Sequence, residues 1–251
     1  MRHLVMRLEA PVVSFGDVMI DAVGPVSDFP SCSMLTGLLA NALGYRREQG
    51  ALLERLQQRV IYGARLDHAG ERFTEFQTAQ LQHDDKGWTT RGRVEGRAGG
   101  TNTYDSPHLR YRDHNADLRC TVALRLFDTS DAPTIEDIAA ALDSPSRPLF
   151  IGRKACLPAR RIADGWVEAP SIFEVLLRTP ISSSPDAQSA WRRPSSVRMS
   201  LPASERCPDG FREHRACERR DWVAGVHVGE TITYRGEVPL DRIAAAVQEV
   251  V

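Results

Sequence analysis

At 251 residues, with 42% hydrophobic and 26% charged side chains, the chain has the makeup of a soluble globular protein. It is long enough for one elaborate domain or two compact units, and nothing in it suggests a disordered or membrane protein. A formal net charge of -1 excludes a uniformly basic nucleic-acid binder but not a local patch.

In chain order, "HLVMRLEA" alternates Leu4, Met6 and Leu8 against His3, Val5 and Arg7, which predicts a first strand. "SMLTGLLANALG" places Leu35, Leu38, Leu39, Ala42 and Leu43 on one helical face, with Ser31 or Ser33 as cap and Gly44 as stop. The shorter helical pattern "ALLERLQQR" leads into "VIYGARLD", a second strand. "LRCTVALRLF" is a third, with Leu118, Cys120, Val122, Leu124 and Leu126 on one face. In "PTIEDIAAAL", Thr134 and Asp137 form a capping pair ahead of a helix, and "RPLFIG" reads as a short fourth strand. Beyond it, "SIFEVLLR" reads as a short helix, "ISSSPDAQSAWRRPSS" as a loop, "DWVAGVHV" and "ETITYRG" as strands, and "PLDRIAAAVQEVV" as a terminal amphipathic helix.

Two βαβ halves around a long insertion predict an α+β, ferredoxin-like (RRM-like) domain over residues 1–151, with two helices on one face of a four-stranded antiparallel sheet. Residues 152–251 form a smaller C-terminal α+β region. The insertion, residues 68–117, is too long for a plain hairpin loop, and loops of that length are commonly functional.

Positive charge is almost entirely guanidinium, since Lys86 and Lys154 are the only lysines. Arg suits bidentate phosphate recognition better than Lys, although GC-rich codon usage explains the same bias. Residues 147–161, "RPLFIGRKACLPARR", carry Arg147, Arg153, Lys154, Arg160 and Arg161 with no acid. Gly152 there would let backbone approach a ligand. The insertion interleaves Lys86, Arg91, Arg93, Arg97, Arg110, Arg112 and Arg119 with Trp88, Tyr104 and Tyr111, and "RAGGTNT" adds a flexible tip. Cations that track a backbone, with aromatics that stack on bases, are what single-stranded nucleic acid requires. The same segment holds His108 and His114, and with Tyr111, Arg110 and Lys154 they supply the residue types for metal-independent RNA cleavage. Five scattered cysteines without a CxxC pair suit a reducing cytosol, and Cys207, His214 and Cys217 lack a fourth metal ligand. No cofactor, metal or membrane contact is expected, and the N-terminus has no signal-peptide character, so the expected location is cytoplasmic.

"LVMRLEAPVVSFG", "FPSCSMLTGLLANALGYRR", "FTEFQT", "SPHLRYRDHNAD" and "FIGRKACLPARR", in that order, with "RRDWV" near the end, resemble the Cas-five family of CRISPR-associated proteins. The likeness is to the CasD-type subunits of subtype I-E Cascade. The resemblance implies an RNA-binding domain with a projecting β-hairpin thumb, which grips the 5′ handle of the CRISPR RNA and caps one end of the complex. It also implies contacts with the large subunit, the backbone subunits and target DNA at the handle-proximal end. Carried across position by position, Ser14, Phe15 and Gly16 match the loop after the first strand, and Pro30, Ser31, Ser33 and Gly37 the loop and helix near the handle. Phe76, Gln77 and Thr78 match the thumb base, Arg110, Tyr111 and Arg112 its returning strand, and Gly152, Arg153 and Lys154 the loop after the fourth strand. Arg160 and Arg161 close the same basic run. In subtype I-E a separate endoribonuclease cuts the precursor, so the resemblance implies a noncatalytic subunit. A relative in subtype I-C does the cutting itself, which keeps a processing endoribonuclease as the alternative. A purely structural subunit with Arg-rich protein contacts is the third reading.

Overall fold

The computed structural model describes residues 1–80, 87–88, 94–95, 107–128, 130–182 and 195–248. The first half contains β1 (Arg2–Glu9), β2 (Val12–Val13), β3 (Val23–Gly24), α1 (Cys32–Ala42), α2 (Gly50–Arg59), β4 (Val60–His68), β5 (Glu71–Ala79), β6 (Gly87–Trp88), β7 (Val94–Glu95), β8 (His108–Ala116) and β9 (Arg119–Leu126). Then come α3 (Ile135–Asp143), β10 (Ala163–Glu168), α4 (Ile172–Arg178), β11 (Ser196–Pro202), β12 (Arg212–Ala216), β13 (Arg220–Asp221), β14 (Val226–His227), β15 (Thr231–Pro239) and α5 (Leu240–Gln248).

One seven-stranded sheet runs in the order β10-β1-β9-β4-β11-β15-β12, and every pairing in it is antiparallel. The fourth strand of the first half is therefore β10, not "RPLFIG", which forms no strand. Pro148 cannot donate to a ladder, and Gly152 takes φ +88, so the chain turns there instead of extending. β10 lies beyond residue 151 yet pairs with β1 from Arg2↔Glu168 to Met6↔Ala163. The sheet passes without a break into β11 through Ala64↔Ser200. β11 and β12 are not among the strands expected from the sequence, although Val197, Met199 and Leu201 alternate along β11, and "DWVAGVHV" forms a tight hairpin, with Arg220 opposite His227.

The helices begin where their caps dictate. Ser31 Oγ accepts from Met34 N at 3.2 Å, and Thr134 and Asp137 close a reciprocal capping box. Gly44 follows α1 with φ +82, a conformation that glycine adopts at little cost. Leu35 and Leu39 of α1, and Ile138 and Leu142 of α3, bury against Leu4, Met6 and Leu8 of β1. Each fully buried aliphatic side chain stabilises the fold by about 1.5–3 kcal/mol.

Helices cover both faces, where the sequence predicts cover on one. Val5 and Ala123 pack beneath Ile172, Val175 and Leu176 of α4, with Val197, Met199, Leu201, Val238 and Ile243 completing a second core. Gly63 permits this approach, because a Cβ there would stand 2.6 Å from Ile172 Cγ2. A buried polar network pins α4 to the sheet: Arg65 donates to the carbonyl of Leu176, one of those a helix C-terminus leaves unpaired, and to those of Thr179 (2.7 Å) and Pro180 (3.1 Å) just beyond the helix.

β5 and β8 pair from Glu71↔Ala116 to Ala79↔His108 and form a long hairpin that continues from the ends of the central strands β4 and β9. At its base β8 also takes β2 (Val13↔Asn115) and, in parallel, β3 (Val23↔Tyr111).

Candidate nucleic-acid interface

The loop after α3 reaches the hairpin base because of one glycine. A Cβ at Gly152 would lie 1.7 Å from Ser14 O, so only glycine lets this loop cross the segment after β1, where Ser14 N donates to Ile151 O. Arg153 is thereby aimed between β3 and β8. Its guanidinium donates to Gly24 O at 2.9 Å and to Asp113 O at 2.8 Å, and lies 3.2 Å from His114 Nε2. Burial, with Arg112 nearby, lowers the pKa of Arg153 from its ordinary value, yet a guanidinium stays charged in any physiological buffer.

Around it lies an open pocket of about 130 Å³ whose wall includes Gly16, Met19, Gly24, Arg110, Tyr111, Arg112 and Arg153. Three segments far apart in sequence meet here. Among the described residues Arg110 bonds only to the neighbouring Leu109 carbonyl, and neither it nor Arg112 has an ion pair. Glu75, which faces Arg112 across the strands, contacts His114 instead at 3.2 Å. Lys154 is exposed beside Arg153.

Alternation along β8 splits "RYR". Arg110 and Arg112 project from one face with Glu75 and Gln77, while Tyr111 projects from the other with Phe76, its cross-strand partner at 5.2 Å between ring centroids. The guanidinium and aromatic groups therefore do not converge on one nucleotide-sized spot.

The other expected residues fall elsewhere. Phe15 is wholly buried, and Ser14 is buried with a hydroxyl that has no partner in the described residues. Ser31 caps α1, and Ser33 is buried beneath the segment around Glu218, whose carbonyl accepts from Ser33 N at 3.0 Å. Gly37 packs against Trp222. Gln77 and Thr78 lie on β5 opposite Arg110 and Leu109. Arg160 pairs with Asp164 at 2.9 Å and approaches Glu9 at 3.7 Å, while both of its neighbour Arg161's hydrogen bonds go to Asp143. Arg147 donates to Asn41 Oδ1 at 2.9 Å and to the Tyr45 carbonyl. The basic run 147–161 is thus largely internal pairing, with Asp143 and Asp164 just outside its ends and with Glu9 and Asn41 far away in the sequence. Lys86, Arg91, Arg93, Arg97, Tyr104 and the tip 97–103 lie outside the described residues, as do the side chain of Trp88 and most of the loop 181–196.

His114 is buried, stacked on Phe73 at 5.5 Å, with Cys156 Sγ 3.9 Å from Nδ1. Burial, reinforced by Arg153, lowers its pKa from 6.5, so it is neutral near pH 7. His108 lies six residues along the same strand, about 20 Å away at the usual rise, so the two imidazoles do not flank one phosphate. Met19 and Gly24 are pocket residues that the sequence reading missed, because their place depends on the parallel pairing of β3 with β8. Among the described residues no cluster of three potential metal ligands occurs, and no helix is long and apolar enough to cross a membrane.

The family described as "CRISPR-associated protein (Cas_Cas5)" matches residues 3–231 of this sequence, nearly its whole length. The chain belongs to the Cas5 family of CRISPR-associated proteins. Over 177 residues it is 25% identical to the CRISPR system Cascade subunit CasD of Escherichia coli strain K12, covering 70% of this chain and 75% of that protein. Two solved structures share the fold. One is a chain of a CRISPR RNA-guided surveillance complex, at TM-score 0.63 and 19% identity, over 98% of this chain and 99% of that one. The other is the crystal structure of a Cas protein, at TM-score 0.59 and 22% identity, over 96% of each. In this Cas5 chain, Gly16, the β8 arginines Arg110 and Arg112, and Arg153, which come from three distant segments, share the pocket just described, while the ring of Tyr111 between the two arginines turns to the other face.

Proposed function

We propose that this Cas5 protein is the noncatalytic RNA-binding subunit of a CRISPR surveillance complex, gripping the 5′ handle of the CRISPR RNA and capping one end of the backbone beside the large subunit. The observation that carries the reading is the gathering of Arg110, Arg112 and Arg153 on one face of the hairpin base, where the first two have no ion pair among the described residues and Asp17 is the one carboxylate in the pocket wall. Cations in such a row suit consecutive phosphates of a single strand. The likeness to the Cascade subunit CasD, and to a chain of an RNA-guided surveillance complex, supports the assembly part of the reading.

In this reading the core, with β10, β1, β9 and β4 in the order fourth-first-third-second, is ferredoxin-like, and the β5–β8 hairpin is its thumb. The sheet face that RNA-recognition modules offer to bases is here covered by α4, so RNA is held at the hairpin and not on the sheet. The test is binding of labelled repeat RNA to the purified chain with and without Arg112→Ala, followed on a denaturing gel in the absence of metal. Tight, Arg112-dependent binding with intact RNA is expected. Site-specific cleavage would favour the processing endoribonuclease.

A further inference from the structure

The face of the hairpin base opposite the three arginines carries a row of apolar side chains. Ile20 bridges Val23, Val23 pairs with Tyr111, and Tyr111 pairs with Phe76. Paired residues on neighbouring strands share a face, so the four stand side by side in a row about 14 Å long at the usual strand spacing. Ile20 is 70% exposed, Val23 44%, Tyr111 41% and Phe76 55%. Leu109, two residues before Tyr111 on the same face, widens the row and is also exposed. A contiguous apolar surface of this kind on a soluble protein marks an interaction site.

Charge identifies the kind of occupant. Arg110, Arg112 and Arg153 all lie towards the opposite face, and the guanidinium that shares the face of the row, Arg72, is tied to Asp28 at 3.4 Å and to Val26 O at 3.1 Å. Asp113 stands on the same face as Tyr111, hydrogen-bonded to Thr74 at 2.7 Å, and Asp21 lies exposed in the turn between Ile20 and Val23. Phosphates would meet carboxylates here without an unpaired cation among the described residues. An apolar centre with an acidic border is instead complementary to a protein surface with apolar and Lys or Arg side chains.

We infer that the row Ile20–Val23–Tyr111–Phe76 is a docking surface for a neighbouring protein subunit that presents an apolar, basic-bordered segment. The hairpin base is then two-sided, with RNA on its guanidinium face and protein on its apolar face; the assignment of the RNA face rests on the function proposed above. The experiment uses the ribonucleoprotein isolated from its own host through a tag on this chain, with p-benzoylphenylalanine in place of Phe76 or of Arg112. Irradiation is expected to join position 76 to one peptide containing apolar and Lys or Arg residues, in an adduct that survives ribonuclease, and to join position 112 to RNA. The paired variant Ile20→Asp/Phe76→Asp, at two exposed sites, should reduce recovery of that partner at least about tenfold. The same variant should leave the affinity of the purified chain for a labelled 12-nucleotide RNA within about twofold. A cross-link from position 76 to RNA, no cross-link to protein, or full recovery of the partner with the paired variant overturns the inference. Loss of the RNA adduct at position 112 alone would instead overturn the assignment of the RNA face.

Discussion

Gly152 and Ser14 touch so closely that the space of one methyl group separates a folded loop from a displaced one. A Cβ on Gly152 would stand 1.7 Å from Ser14 O, and the residue's φ of +88 is itself costly for any L side chain. Gly152→Ala is expected to destabilise the protein by about 2–4 kcal/mol and to shift Arg153 from Gly24 O and Asp113 O. Gly210→Ala is the control: its φ is +83 but no atom lies within 4 Å of the added Cβ, so about 1 kcal/mol should be lost. Urea midpoints of the two variants check the difference.

Ion pairing separates two arginines that look alike in the sequence. Arg112 has no ion pair among the described residues, whereas Arg161 is held by Asp143, whose carboxyl pKa falls below its usual range through that hydrogen bond. Arg112→Ala should weaken binding of single-stranded RNA about tenfold, and removing one phosphate-binding cation should flatten the salt dependence by about 0.7 in log–log slope. Arg161→Ala should leave both unchanged. Fluorescence anisotropy titrations at several salt concentrations measure the two quantities together.

Much of the first half of the fold was legible because its physics is local. The period of two in β1 and β9, the caps at Ser31 and Thr134, and the stop at Gly44 are written within a few residues of where they act. Even the splitting of Arg110 and Arg112 from Tyr111 follows from the alternation of any strand once β8 is placed. The errors come from long-range pairing. "RPLFIG" has strand-like composition, but β10 lies 11 residues further on, where β1 had an open edge to fill. Arg147, Arg160 and Arg161 looked like a ligand patch because Asn41 and Glu9 are brought to them only by folding, while Asp143 and Asp164 lie just outside the two ends of the run. Burial on both faces of β1 explains why the helix "SIFEVLLR" could be read but not its packing on the second face: Val5 and Arg7 look outward-facing until a second layer is known to exist.

Buried histidines set the direction of the pH response. His114 has its pKa lowered by burial and by Arg153, against an opposing pull from Glu75, and burial also lowers His3 and His214. The unfolded imidazole takes up a proton near 6.5 and the folded one only at lower pH, so the unfolded state binds more protons as acid is added. Stability from these groups is complete above about pH 6.5 and declines as the pH falls below it. The thermal midpoint should drop between pH 7.5 and 5.5. His114→Gln should cost some stability at pH 7.5 yet show a shallower fall. A slope equal to that of the unaltered protein would assign the sensitivity to other groups.

Asp67 is where the two halves of the chain are joined most tightly. Its fully buried carboxylate accepts from Arg7 Nη1 at 3.1 Å, Arg65 Nε at 2.6 Å, Thr121 Oγ1 at 2.7 Å and Ser182 N at 2.9 Å. Arg65 in turn holds the carbonyls of Leu176 in the last turn of α4 and of Thr179 and Pro180 just after it, and Arg7 reaches Pro180 O at 3.0 Å and Asp164 at 2.7 Å. Asp67→Ala leaves two buried guanidinium groups without this carboxylate, which should cost about 3–5 kcal/mol. Replacing the pair, as in Arg65→Met/Asp67→Leu, often restores stability where a buried ion pair is isolated. Here it should recover only part, because the carbonyls of Leu176 and Thr179 lose this donor whichever residue replaces Arg65, and Arg7 still loses Asp67. Hydrogen exchange localises the effect: residues 172–178 should exchange faster in both variants, while residues 32–42 on the opposite face keep their protection. Uniform loss of protection across both helices would mean that the network supports the whole sheet and not the α4 layer.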